Sequence, residues 1–250
     1  MQAIQQFHAS VTQIFQEIIE LNREAFAAAS RAIIERLKND RLIYVYGTGG
    51  HSVIAAEEAF YRAGGLTQIS PILDAGVSLI NGGLYTSVVG RTPGYARAVL
   101  RRYNLTRDDL IVIVNAYGMN CLSIDAAQVA KEHGAMVIAI TSPAHADALP
   151  RDHIARHPSQ KNLHEIADIV LDCRMPYGDA VVELPGLTTK VSPVSTLCTV
   201  FVWEALVAQV AEDMLAQGLA PEIWTSLNVP GGDEANAAYL EKYRSRVRYF

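Results

Sequence analysis

Four groups of residues have types and spacings that could do chemistry. The first is a glycine turn, Gly47, Gly49 and Gly50, continued by His51 and Ser52 and entered from the apolar run LIYVY at 42–46. The second, Asn115, Tyr117, Gly118 and Asn120, is entered from LIVIV at 110–114. The third is a pair of adjacent carboxylates, Glu57 and Glu58, in the segment after the first turn. The fourth is KVSPVST at 190–196, with Lys190, Ser192, Ser195 and Thr196 just ahead of a long apolar stretch. A turn between a strand and a helix presents free N–H groups at the positive end of the helix dipole, which suits an anion. Hydroxyls and amides add directed hydrogen bonds, and a lysine adds charge. A carboxylate with its pKa tuned toward neutrality can move a proton between adjacent carbons.

Each group has a plainer reading. A dinucleotide turn would need G-x-G-x-x-G and an acid ending the second strand. Gly47, Gly49 and Asp74 comply, but Ser52 stands at the third glycine, where its side chain would hinder close packing of the helix. No nucleotide cofactor is expected. Ser52 could simply cap the helix over 53–63, as Ser195 or Thr196 could cap the later one. Glu57 and Glu58 would point about 100° apart on a helix, so only one can face a pocket. Glu58 is the preferred base, against the alternative of an ion pair with Arg62. Among the seven histidines, His51 lies in the first turn and His157 in a polar stretch over 145–162, while His145, His153 and His164 read as loop or surface residues. No histidine spacing suggests a metal site, and no G-x-S-x-G supports a serine hydrolase.

The elements that must hold these groups follow from hydrophobic patterning. Apolar runs at 42–46, 69–73, 110–114, 136–140 and 166–171 alternate with helical segments at 53–63, 93–102 and 123–133. Such alternation predicts a parallel sheet covered on both faces, a doubly wound α/β domain over 41–250 with a helical tail. Ligands of such sheets sit outside the carboxyl ends of strands, so two polar turns there imply one shared pocket. Residues 1–40 read as a helical arm, a single helix over 2–38. Its seam of Ile4, Phe7, Val11, Ile14, Ile18, Leu21 and Ala25 suits either packing on the core or dimerisation.

The chain has 250 residues, 50% of them hydrophobic, and a net charge of −5. That balance argues against nucleic acid or an anionic membrane as the main partner. Three isolated cysteines, Cys121, Cys173 and Cys198, read as reduced core residues of a cytoplasmic protein. The most apolar stretch, 196–211, contains Glu204 and is too short to span a bilayer.

Taken with EEAFYRAGG at 57–65, HPSQKNLHEIADIVLD at 157–172 and the tail SLNVPGGDEANAAYLEKYRSRVR at 226–248, these turns resemble the SIS, or sugar isomerase, domain. The likeness is to its stand-alone, phosphoheptose-isomerase-like branch. The resemblance implies a flavodoxin-like five-stranded sandwich, a homodimer or larger assembly, and binding of a sugar or sugar phosphate. It implies an aldose–ketose isomerase using no metal or cofactor, or else a non-catalytic binding or regulatory protein. It marks His51 and His157 as positions typical of the branch, His51 for substrate binding and His157, with Glu58 and Glu57, for catalysis, and the 190–196 segment as bordering the sugar. The second turn departs from the family's S-x-S-G-x-T or S-x-S-G-x-N form. Asn115 and Tyr117 replace its serines, and only Gly118 and Asn120 keep to pattern.

Overall fold

The computed structural model describes residues 1–250. Two helices lead, α1 (Gln2–Leu21) and α2 (Arg23–Lys38). They are followed by β1 (Ile43–Gly47), α3 (Val53–Glu58), β2 (Ile69–Pro71), α4 (Gly83–Gly90) and α5 (Tyr95–Leu100). Then come β3 (Leu110–Val114), α6 (Cys121–Glu132), β4 (Met136–Thr141), α7 (Pro143–Ala148) and β5 (Ile169–Asp172). A hairpin of β6 (Ala180–Val182) and β7 (Val191–Pro193) leads into α8 (Ser195–Ala216), and α9 (Gly232–Tyr243) closes the fold.

The sheet has five strands in the order β2-β1-β3-β4-β5. Every pairing in it is parallel, with Val45 beside Val112 and Val112 beside Ile138 at its centre. Strands paired on both sides and covered on both faces must be apolar throughout, and all five residues of β3 are buried. Alternate side chains divide between two cores. Ile43, Val45, Val112 and Ile138 join residues of α2, α3 and α8 on one face, while Tyr46, Ile111, Ile113 and Val137 join α5 and α6 on the other. The predicted doubly wound architecture is therefore present.

Four local expectations are corrected. The leading helix is broken at Asn22, which is buried because its side chain ties Ile18 O (2.8 Å) to the backbone of Asp172 on β5 (3.0 and 2.7 Å). The helix after β1 ends at Glu58, well short of 63. The stretch 145–162 starts within α7 and then folds around Arg156, only 6% exposed, whose guanidinium donates to the carbonyls of Ala146, Leu149 and Pro150 and to Asn162 Oδ1. Helix α4 was not predicted, because GGLYTSVVG carries no helical period and is bounded by glycines.

Part of α1 packs onto the core, while Leu21 at the end of the helix stays exposed. Ile18 is fully buried and Phe15 stacks on Phe201 of α8, with ring centroids 4.1 Å apart. All three cysteines are buried and unpaired. No helix is long and apolar enough to cross a membrane.

Candidate functional site

In a sheet of this order the crossovers leave β1 and β3 in opposite directions, which opens a crevice beyond their carboxyl ends. The two polar turns read from the sequence lie there. Gly47 lets the first turn form, since a Cβ on it would overlap the backbone of Ser52 and Val53. The close helix–strand approach thus depends on Gly47, and Ser52 does not obstruct it. Ser52 occupies the N-cap position of α3, but its side chain makes no capping hydrogen bond. Gly118 takes a left-handed φ of 61° beside Thr141 at the end of β4, where any side chain would collide.

The turns are stitched together. Asn115, 2% exposed, donates from Nδ2 to Thr48 O (2.7 Å), and its Oδ1 accepts from the N–H groups of Tyr117 (3.0 Å) and Gly118 (3.1 Å). The Thr48 and Ser123 hydroxyls are bonded at 2.7 Å, which joins the first turn to α6. Asn115 is therefore a clamp more than a ligand contact.

Above the stitched turns lies a cavity of about 970 Å³. Gly49, Gly50, His51, Ser52, Asn115, Tyr117, Asn120, Ser195 and Thr196, all singled out in the sequence, line it together. One wall is α4 with Leu84 and Ser87 and its C-cap Arg91, and another carries His145, His153 and Tyr177. Sequence reasoning did not select Arg91 or Tyr177 and gave His145 no special weight. Only the contact between distant segments distinguishes them, so no local signal could have found them.

His145 is 5% exposed and its Nδ1 has no hydrogen-bond partner. Its ring meets Tyr117 edge-on at 5.0 Å and stacks on Tyr177 at 5.5 Å. Burial is the main cause holding its pKa below the ordinary 6.5, with nearby Arg156 acting the same way and Asp179 and the Pro176 carbonyl opposing. Burial and Asp179 together push the Tyr117 phenol up to about 12, so it stays protonated and donates to Asp179 Oδ2 at 3.1 Å.

Other nominated residues lie off the cavity wall. Glu58 is 2.7 Å from Arg62 Nε, and Glu57 is exposed on the same helix. His157 is held between Asp125 (Nε2 to Oδ1, 3.2 Å) and the Ser159 hydroxyl (Nδ1 to Oγ, 2.7 Å). Lys190 pairs with Glu183 across the hairpin at 2.8 Å, and Ser192 sits in β7 with φ 66°. Gly118 contributes its left-handed backbone turn and does not line the cavity. Neither Ser195 nor Thr196 caps α8; the cap position is Val194, and Asp179 supplies the acceptor. Asp147, His164 and Glu165 converge with the donor types a metal takes. Their carboxylates already accept from Asn162 (2.7 and 2.6 Å) and Arg151 (3.0 Å), so they read as the staple of the 145–162 segment.

Comparison with known proteins agrees with this fold. A family model described as the SIS domain matches residues 6–142. A UPF0309 protein of Brucella canis is 40% identical over 228 residues, spanning 91% of this chain and 88% of that protein. Two solved structures share the fold at 16% identity, both phosphoheptose isomerases. That of Neisseria gonorrhoeae has a TM-score of 0.56 and covers 84% of this chain and 97% of that one. That of Francisella tularensis has a TM-score of 0.51 and covers 84% and 96%.

Proposed function

The chain belongs to the SIS domain family, and from that premise we propose that its cavity binds a sugar phosphate and that His145 moves the proton of an aldose–ketose isomerisation. The lining carries the reading. Arg91, His51, His145 and His153 border the cavity, and no aspartate or glutamate does. Such a wall suits an anionic, polyhydroxylated ligand. Tyr117 and Tyr177 offer faces for the sugar ring, while Ser52, Ser87 and Asn120 offer hydrogen bonds to its hydroxyls.

Isomerisation takes the proton from C2 of an aldose, passes through an enediol and returns a proton to C1. The base must be unprotonated near neutral pH. His145 meets that requirement, because burial disfavours its charged form and Nδ1 is not engaged. The exposed Tyr177 stacks on its ring and borders the same cavity. Glu58, paired with Arg62 away from the wall, supports the role less well. No metal or nucleotide takes part in the reaction as drawn.

The test is exchange of the C2 proton in deuterated water, followed by NMR over a panel of sugar phosphates. His145→Gln should lower exchange roughly 10²–10⁴-fold, the usual weight of general-base catalysis, with ligand affinity changed only a few-fold. Full exchange in that variant would remove His145 from the role and return it to Glu58 or Glu57. The absence of any carboxylate in the wall favours one alternative, a protein that binds sugar phosphates without converting them. Binding with no exchange for every bound ligand would establish that alternative.

A further inference from the structure

We propose that Asp179 is a specificity-determining residue, a fixed internal anion that keeps a ligand's phosphate away from the start of α8 and leaves that part of the cavity to uncharged hydroxyls. The proposal rests on the sugar-phosphate reading above and says where the phosphate does not bind.

Helix α8 runs for 22 residues, and its first turn reaches the cavity through Ser195, Thr196 and Thr199. The positive end of so long a helix would ordinarily attract an anion. Here an anion of the chain itself already sits at that end. Asp179 Oδ1 accepts from the N–H groups of Val194 (2.9 Å) and Ser195 (2.7 Å). Its Oδ2 accepts from the hydroxyls of Ser195 (2.8 Å) and Tyr117 (3.1 Å). Both side-chain donors belong to cavity-lining residues, so the hydroxyls of Ser195 and Tyr117, which could have held a phosphate there, point at the carboxylate instead.

Asp179 is 9% exposed and forms no ion pair; hydrogen bonds and the helix dipole hold its charge. It stands just behind the cavity wall, between the lining residues Gly178, Tyr117 and Ser195. A phosphate brought there would face a like charge with no cation paired to it in a poorly screened setting, whereas a sugar hydroxyl would not. The one arginine or lysine in the wall is Arg91, at the C-terminal cap of a different element, α4. The ligand is thereby oriented with its phosphate toward α4 and its sugar against Tyr117, His145 and Tyr177.

The backbone is shaped for this placement. Gly178 and Asp179 take consecutive left-handed φ values of 83° and 70°. Aspartate tolerates that region better than most side chains, and four hydrogen bonds keep it there. The same short turn delivers Tyr177 to the stack on His145.

The test uses inorganic phosphate, glucose 6-phosphate and glucose as probes in calorimetry at pH 7.5. Asp179→Asn keeps the shape, suits the left-handed φ and removes the charge. It should tighten inorganic phosphate about tenfold or more, leave glucose within about twofold, and so shift the ratio between the two, which a purely structural role would not do. Unchanged, weaker or undetectable phosphate binding in the folded variant overturns the proposal. Asp179→Gly covers the case in which the asparagine variant does not fold. It suits the same φ and opens the seat, so phosphate should raise its Tm more than that of the wild type; an equal rise overturns the proposal. If the variants gain phosphate binding while wild type binds no glucose 6-phosphate or other sugar phosphate, the role of Asp179 stands and the sugar-phosphate reading fails.

Discussion

At the scale of single residues, side chains nominated as ligand contacts divide by where their polar atoms point. Asn115 and Tyr117 border the cavity, yet their polar atoms are committed to Thr48, the turn backbone and Asp179. His145 is the reverse, nearly buried with a ring nitrogen left unengaged. That state has a consequence for stability. Its folded pKa lies below the unfolded value near 6.5, so the unfolded chain takes up this proton first as pH falls. The contribution is intact above about pH 6.5 and is lost as pH falls from there toward the lowered folded value. The drop in Tm between pH 7.5 and 5.5 should therefore be smaller in His145→Gln than in wild type. Equal drops by calorimetry would show that His145 does not titrate abnormally. Residue types and turns were legible in the sequence; the direction of each polar atom was not, because it depends on partners as distant as Asn115 and Thr48 or Tyr117 and Asp179.

Elements were legible wherever a long apolar run or a strong period existed. All five strands sit where apolar runs predicted them, because a doubly covered parallel sheet leaves few polar positions to blur the signal. Helix α4 and the β6–β7 hairpin were not, since each is short and is held by tertiary contact. The break at Asn22 was equally hidden, being set by a partner on β5. The turn after β1 gives an element-scale prediction. Gly47→Ala places a methyl against the Ser52 carbonyl and Val53 Cα, backbone atoms that cannot yield without moving α3. Overpacking of this kind costs about 1–3 kcal/mol or more. Urea denaturation should show that loss, together with weakened ligand binding, because His51 and Ser52 move with the helix start. A variant of unchanged midpoint would mean that α3 is looser than its packing indicates.

For the whole molecule, the sequence predicted a self-associating chain. The structure leaves apolar side chains of the α4 region outward, with Ile80 93%, Leu84 89% and Val88 65% exposed, and Ile4 and Leu21 outward on α1. Burying a patch of that kind stabilises association. We expect light scattering at micromolar concentration to give at least twice the mass of one chain, and Leu84→Glu with Val88→Glu to lower it. A monomer mass for wild type would defeat the expectation. Because Leu84 also lines the cavity, ligand affinity should then depend on protein concentration across the same range.

The hydrogen bonds of Asn115 and Asp179 also bear on how this cavity could come to accept a new ligand. His51 and Ser87 face the cavity and join none of the bonds that tie one crossover to another. Substitutions there are open to drift or to a directed library, one position at a time. Gly47, Asn115 and Asp179 each fix a second segment in place. A change at any of them calls for an answering change elsewhere in the chain. Selection for altered specificity should therefore enrich His51 and Ser87 first and reach the clamps only in pairs.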